Sequence, residues 1–204
     1  MTNAPLRWGD QAPSSVGGAR HRLLDAAETC FARIGLSKTT VEDIAREASV
    51  SRATVYRYFS GRDEVVSGVI LRGAGRYLDR VRPRVEAQPD LGSAIVEFVE
   101  ITLRAAMSDE TIGRLFVNDA DLDSMGIIDG TSVALFEMCA EFLHPIFASH
   151  VGAHPPGMSV DDASEWILRT ILSFITVTGP KRRSRAGLDS YLRRFLLPAL
   201  QIAD

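Results

Sequence analysis

Three helix-start signals crowd into about twenty residues, at Thr40, Ser51 and Ser60, and this spacing constrains the fold more than any other feature of the chain. A Ser or Thr side chain caps a helix by accepting a hydrogen bond from an amide that has no partner in the first turn. Thr40 is followed by Asp43, and Ser60 by Asp63 and Glu64, acids that suit the positive end of a helix. Ser51 is followed by Val55, Tyr56 and Phe59. Ordinary helices of about 11 residues do not fit between starts this close. The middle two must be short and joined by a turn of about three residues, which is the helix-turn-helix layout.

The rest of the chain reads as all-α. Residues 1–18 are rich in Pro, Gly, Ser and Ala without a period and read as a flexible arm, with Arg7 and Arg20 as its minor-groove candidates. Leu23, Ala27, Cys30, Phe31 and Ile34 then follow helical spacing to Gly35, which predicts a first helix over 19–34. Val41, Ile44, Ala45 and Ala48 form the inward face of the second. Further helices are predicted over 63–82, stopping before Pro83, and over 91–107, 110–118, 124–150, 160–178 and 186–201, about nine in all. Gly126, Gly130 and Pro145 interrupt the fourth of these blocks, and Pro145 is expected to kink or shorten its helix. The domains are then the arm at 1–18, a DNA-binding unit at 19–62 and a helical effector-binding and dimerisation body at 63–204.

Charge is divided the same way. The net of −3 conceals a net of +2 over residues 1–60 and −5 over the remainder. Only the N-terminal part is suited to approach phosphate. Its segment Ser51–Arg62 holds three arginines and two tyrosines and no acid. Helical periodicity puts Val55 and Phe59 on the inner side and leaves Arg52, Ala53, Thr54, Arg57 and Tyr58 on or beside the outer one. A helix in a major groove needs small or polar residues near its start and long donors beyond them. Arginine pairs with guanine in bidentate fashion, and hydroxyls such as those of Thr40, Ser51, Thr54, Tyr56 and Tyr58 suit phosphate.

Residues 20–66 carry Leu-Leu-Asp-Ala-Ala, Phe-Ala-Arg-Ile-Gly, Thr-Thr-Val-Glu-Asp-Ile-Ala, Val-Ser-Arg-Ala-Thr-Val-Tyr-Arg-Tyr-Phe and Asp-Glu-Val-Val. This stretch, about a quarter of the chain, resembles the DNA-binding domain of the tetracycline-repressor (TetR) family. The resemblance implies three N-terminal helices for DNA, a divergent body of about six helices, and a homodimer, usually a repressor released by a small ligand. On matching positions it implies that Thr40 meets phosphate, that Ser51, Arg52, Ala53, Thr54, Tyr56, Arg57 and Tyr58 contact DNA from the recognition helix, and that Arg62 stands where the family usually has a phosphate-gripping lysine. Two departures bear on geometry. Ser49 occupies a turn position where glycine is common, and Arg62 preserves the lysine's charge but not its shape.

In the body, Trp166, Ile167, Ile171, Phe174 and Ile175 lie along one helical pattern and Leu188, Tyr191, Leu192, Phe195 and Leu196 along another. Both exceed one core face and predict a dimerisation surface, in agreement with the family's four-helix interface. Such a dimer presents two readers to a palindromic operator. Phe98, Leu103, Met107, Phe116, Met125, Phe136 and Met138 are the candidate lining of an effector cavity. Glu97, Glu100, Asp119, Asp121 and Asp123 read as a solvated acidic face, with a cationic effector as the alternative.

Other classes fit poorly. His144, His150 and His154 are crossed by Gly152 and Pro155, which spoils a helical pair, and no Glu stands between them as in zinc proteases. No Gly-x-Ser-x-Gly occurs, and Gly73-Ala-Gly75 lacks a third glycine. No catalytic residue, metal or cofactor is therefore expected. Cys30 and Cys139 read as buried thiols. No apolar stretch reaches the ~20 residues of a membrane span and no secretory signal is evident, so the expected location is cytoplasmic. The basic stretch Lys181–Arg185 reads as a solvated loop. The remaining alternative is a helical protein-interaction module without DNA activity.

Overall fold

The computed structural model describes residues 15–108, 124–150, 152–153, 157–177, 179–181 and 183–202, and within 107–108 and 124–130 the backbone alone. Eight α-helices and a 3-10 turn, with no strand, make up the described residues: α1 (Val16–Ile34), α2 (Val41–Glu47), α3 (Arg52–Tyr58), α4 (Arg62–Glu86), α5 (Leu91–Ser108), α6 (Ser124–Ser149), α7 (Val160–Thr176), α8 (Arg185–Phe195) and the turn Pro198–Leu200. The helix expected over 110–118 lies outside the described residues. Two compact units divide the rest. One reaches to Gly73 and includes the start of α6 to Thr131; the other takes Ala74 and Ser132 onward.

In the first unit each short helix begins as the caps require. Ser15 starts α1 earlier than the apolar period suggested, because its Oγ accepts the Gly18 amide at 3.0 Å. Thr40 and Asp43 form a reciprocal capping box on α2, and Ser51 Oγ accepts the Thr54 amide at 3.2 Å to start α3. Between α2 and α3 the chain turns on Ser49, whose φ of 55° is left-handed. This L-residue conformation costs on the order of 1 kcal/mol. The turn is closed by the Val50 amide donating to the Ala45 carbonyl at 2.9 Å.

Leu23, Ala27, Ile44, Val55 and Phe59 enclose one another, joined by Val65 and Val69 from α4. The N-terminal core therefore extends past residue 62 into α4. Arg72 reinforces that docking by donating to the His21 carbonyl at 3.1 Å and pairing with Asp25 at 2.8 Å. Within the same unit Ser67 and Thr131 share a hydroxyl hydrogen bond of 2.8 Å.

The second unit is built around α5, whose residues from Ala94 to Ile101 are all buried. Its core gathers Ile95, Phe98 and Val99 with Phe142, Leu143, Ile146 and Phe147 of α6, Ile167 and Ile171 of α7, and Leu192 and Leu196 of α8. One proline expected to stop a helix does not. Pro83 stands inside α4, which continues to Glu86, because Val85 beyond it is fully buried. Burying a valine is worth about 1.5–3 kcal/mol, comparable to the ~3 kcal/mol cost of an interior proline. Pro145 is exposed inside α6, flanked by buried Leu143 and Ile146, and the helix runs on to Ser149. At the C-terminal end, the predicted helix 186–201 resolves into α8 and a separate turn beginning at Pro198.

Glycine takes the Ser49 conformation without strain, so Ser49→Gly is expected to stabilise the chain by up to about 1 kcal/mol in urea unfolding. A destabilised variant would contradict the turn geometry.

Candidate nucleic-acid interface

The exposed side of α3 carries Arg52, Ala53, Tyr56 and Arg57. Its inward side carries Val55, and Phe59 follows at the C-cap, each about 1% exposed. Ser51 is exposed and Tyr58 half-buried. Thr54 departs from the sequence reading: it is buried, and its Oγ1 lies 2.9 Å from Ser51 Oγ. A one-turn helix start leaves little outer surface at that position, so Thr54 serves the cap in the free chain. Thr40 is exposed at the start of α2, its hydroxyl donating to Asp43 Oδ2 at 2.7 Å.

The arginines divide into inward and outward groups. Arg62 Nε donates to the Thr39 carbonyl at 2.9 Å and Nη2 to the Leu36 carbonyl at 2.6 Å. These bonds tie the start of α4 to the loop before α2. In the free chain Arg62 thus already satisfies two backbone acceptors, with the other N–H donors of its guanidinium not taken up by these bonds. Arg20, a minor-groove candidate in the sequence, is likewise committed. It donates to the Tyr58 carbonyl, meets Glu64 at 3.3 Å and lies 4.2 Å from the centre of the Phe59 ring. Arg7 lies outside the described residues.

Arg52 and Arg57 face outward. Arg57 stacks beside Tyr58 at 5.2 Å and has no carboxylate partner among the described residues. Arg52 pairs with Glu42 of α2 and donates to the Tyr56 hydroxyl at 3.1 Å. That pair crosses from one helix to the next, a proximity that helical periodicity does not encode. The sequence reading missed it, although both residues were visible at the starts of their helices.

Two carboxylates fix the frame. Hydrogen bonds from the Thr40 hydroxyl and amide hold Asp43 below the usual aspartate range. Glu64 is held below its ordinary value chiefly by the Ser60 amide, with Arg20 adding to the effect. The helix start expected at Ser60 is thus secured from Glu64, which accepts the Ser60 amide at 2.6 Å.

Residues 23–69 match the family described as bacterial regulatory proteins, tetR family. Over these residues the chain matches the TetR family. Among its relatives, the HTH-type transcriptional regulator AlkX of Mycobacterium tuberculosis (strain ATCC 25618 / H37Rv) is 25% identical over 177 residues, covering 86% of this chain and 83% of that protein. The solved TetR family repressor AlkX from Dietzia sp. strain DQ12-45-1b, implicated in biodegradation of n-alkanes, has a TM-score of 0.66 at 23% identity, covering 94% of this chain and 98% of that one. Thermus thermophilus FadR, a TetR family transcriptional repressor solved with lauroyl-CoA, has a TM-score of 0.56 at 20% identity, covering 91% and 96%.

Beyond the matched residues, those singled out in the body separate into two sets. Ile167, Ile171, Leu192 and Leu196 are at most 4% exposed and form the second unit's own core, which corrects their assignment to a dimer surface. Trp166 and Phe195 remain more than half exposed, and Phe174, Ile175, Leu188 and Tyr191 are half-buried. Tyr191 joins Phe174 edge-on at 6.0 Å and Phe195 at 4.8 Å, so the aromatic surface runs across α7 and α8.

Of the candidate effector lining, Phe98 and Leu103 are core residues, Phe98 stacking on Phe142 at 4.8 Å. Phe136 and Met138 are half-buried, and the side chains of Met107, Phe116 and Met125 fall outside the described residues. Glu97 and Glu100 are buried rather than solvated, because α5 is enclosed; Arg185 sits 3.6 Å from the first and 3.2 Å from the second. A cavity of about 440 Å³ opens there, lined by polar residues including Ser93, Glu97, Glu100, Asp189 and Arg193 and by none of the four described candidates Phe98, Leu103, Phe136 and Met138. His144 pairs with Asp161 at 2.8 Å, and His154 is outside the described residues. No helix among the described residues is long and apolar enough to cross a membrane.

Because folding lowers the Glu64 pKa, its contribution to stability is present above the ordinary glutamate range and lost as pH falls through the folded-state value. Urea midpoints measured on acidification below about pH 5 are expected to fall less steeply for Glu64→Gln than for the wild type. Parallel curves would remove Glu64 from the frame.

Proposed function

We propose that this TetR-family chain is a ligand-responsive transcriptional repressor that binds a palindromic operator as a homodimer. One observation carries the reading. The exposed side of α3 presents Arg52, Ala53, Tyr56 and Arg57, with no acid on the helix itself, above a packed helix-turn-helix. Arg52 has the reach and donor geometry for guanine in the major groove, and Arg57 has the reach for a flanking phosphate. Thr40, Ser51, Ala53, Tyr56 and Tyr58 supply the shorter contacts. Thr54 acts through the cap that sets the helix.

Homodimerisation is supported by the exposed and half-buried aromatic surface of Trp166, Phe174, Tyr191 and Phe195. Two-fold symmetry brings two α3 helices to half-sites about one turn of DNA apart, or a multiple of it. Effector control is supported by the relative solved with lauroyl-CoA. The α4 helix contributes Val65 and Val69 to one core and Val85 to the other. A ligand that moves α4 changes the spacing of the two readers and weakens the operator complex by about 5–150-fold. The protein acts by binding and has no catalytic role.

Selection of bound duplexes from a random DNA pool is expected to return a palindrome whose affinity falls linearly with the logarithm of salt concentration. No enrichment would overturn the reading and favour a helical protein-interaction module. Phe195→Glu places a charge on the aromatic surface while leaving the core intact. Sedimentation is expected to show a folded monomer with at least tenfold weaker operator affinity; an unchanged dimer would place the interface elsewhere.

A further inference from the structure

The acid nearest the reading surface stands on α2, where it opposes DNA binding and yet touches the first residue of the recognition helix. Glu42 is half exposed, in the first turn of α2, and its carboxylate pairs with the Arg52 guanidinium. The same guanidinium donates from Nη2 to the Tyr56 hydroxyl at 3.1 Å and lies 5.3 Å from the centre of the Tyr56 ring. Arg52 is thus held from two helices although more than half of its side chain is exposed. Arg57, one turn further on, has an aromatic neighbour and, among the described residues, no such carboxylate. The neighbouring acid, Asp43, is turned to Thr40 and Arg46.

We propose that Glu42 is a positioning residue that fixes the Arg52 guanidinium for base recognition and so sets operator specificity. The inference rests on α3 being the DNA reader. A guanidinium has five N–H donors, and Glu42 and Tyr56 engage Nη1 and Nη2 while leaving others for the two acceptors of a guanine edge. An unheld arginine samples many rotamers and meets phosphate as readily as base. A carboxylate beside it repels phosphate at every sequence, lowers affinity for DNA in general, and restricts the arginine to one direction. Glu42 therefore exchanges affinity for discrimination, whereas Arg57, without a carboxylate, is left for the backbone.

The two effects have opposite signs in one experiment. Affinities are measured by fluorescence anisotropy at several salt concentrations for the wild type, Glu42→Gln, Glu42→Asp and Arg52→Ala. The duplexes are the selected operator, the operator with each half-site base changed singly, and an unrelated sequence. Arg52→Ala identifies the base pair that Arg52 reads. Glu42→Gln is expected to bind the unrelated duplex several-fold tighter and to lose on the order of tenfold in discrimination at that base pair alone. Glu42→Asp retains the charge at shorter reach and is expected to fall between. If Glu42→Gln tightens operator and unrelated duplex by the same factor with discrimination intact at every position, Glu42 is a repulsive charge only and the proposal is overturned. Discrimination lost evenly across the half-site, with a lowered melting temperature, would overturn it in favour of a structural role. A wild type that shows no preference among duplexes defeats the reading of α3 itself, a result distinguishable from either.

Discussion

The placement of the reading surface depends on the burial of Phe59. It is the residue at which α3 ends, extended in backbone and 1% exposed, with its amide still bonded to the Val55 carbonyl at 3.0 Å. The ring lies under the Arg20 guanidinium of α1 and against the part of α4 where Gly68 leaves room; a Cβ there would stand 3.5 Å from the ring. A seven-residue helix has no stability of its own in water, since helix nucleation is unfavourable and isolated helices need about 12–15 residues. The short reader is therefore rigid only because Val55 and Phe59 are locked into a core supplied by its neighbours. Removing a buried phenylalanine of this kind costs about 3–5 kcal/mol, enough to dissolve the surface that α3 presents.

Around that anchor the charged groups are sorted by what they satisfy. Arg62, Arg20 and Arg22 donate to carbonyls of Leu36, Thr39, Tyr58 and Ala48 and so hold the turns between helices. Glu64 completes the start of α4 through the Ser60 amide. What remains outward on α3 is Arg52, held by a carboxylate, and Arg57, held only beside an aromatic ring. A surface with few free cations, each in a defined state, suits recognition better than a uniformly basic patch, whose affinity is mostly insensitive to sequence.

The helix-turn-helix was legible because its information is local. Thr40 and Ser51 cap by contacts three residues away, and Ser49 adopts the left-handed turn that its position demanded. Pro83 was misleading because the burial of Val85 that carries the helix past it depends on a core assembled from distant residues. Ile167 and Leu192 were read as interface for the same reason: an apolar residue on α7 or α8 looks alike whether it faces its own core or another chain. Arg62 and Arg52 matched a family pattern in sequence, yet their partners lie across loops and helices, where periodicity carries no information. Phe98 and Leu103 show the limit for cavities, since an aromatic or aliphatic residue at helical spacing does not reveal whether space is left beside it.

The central claim is that the outward arginines of α3 read DNA. It is tested most directly by comparing wild type with the Arg52→Ala/Arg57→Ala double variant on a duplex selected by the wild type, with circular dichroism and melting temperature recorded for both. The expected result is a loss of at least a hundredfold in operator affinity with helix content and melting temperature unchanged. A double variant that binds the operator as tightly as the wild type would contradict the assignment of α3 as the reader.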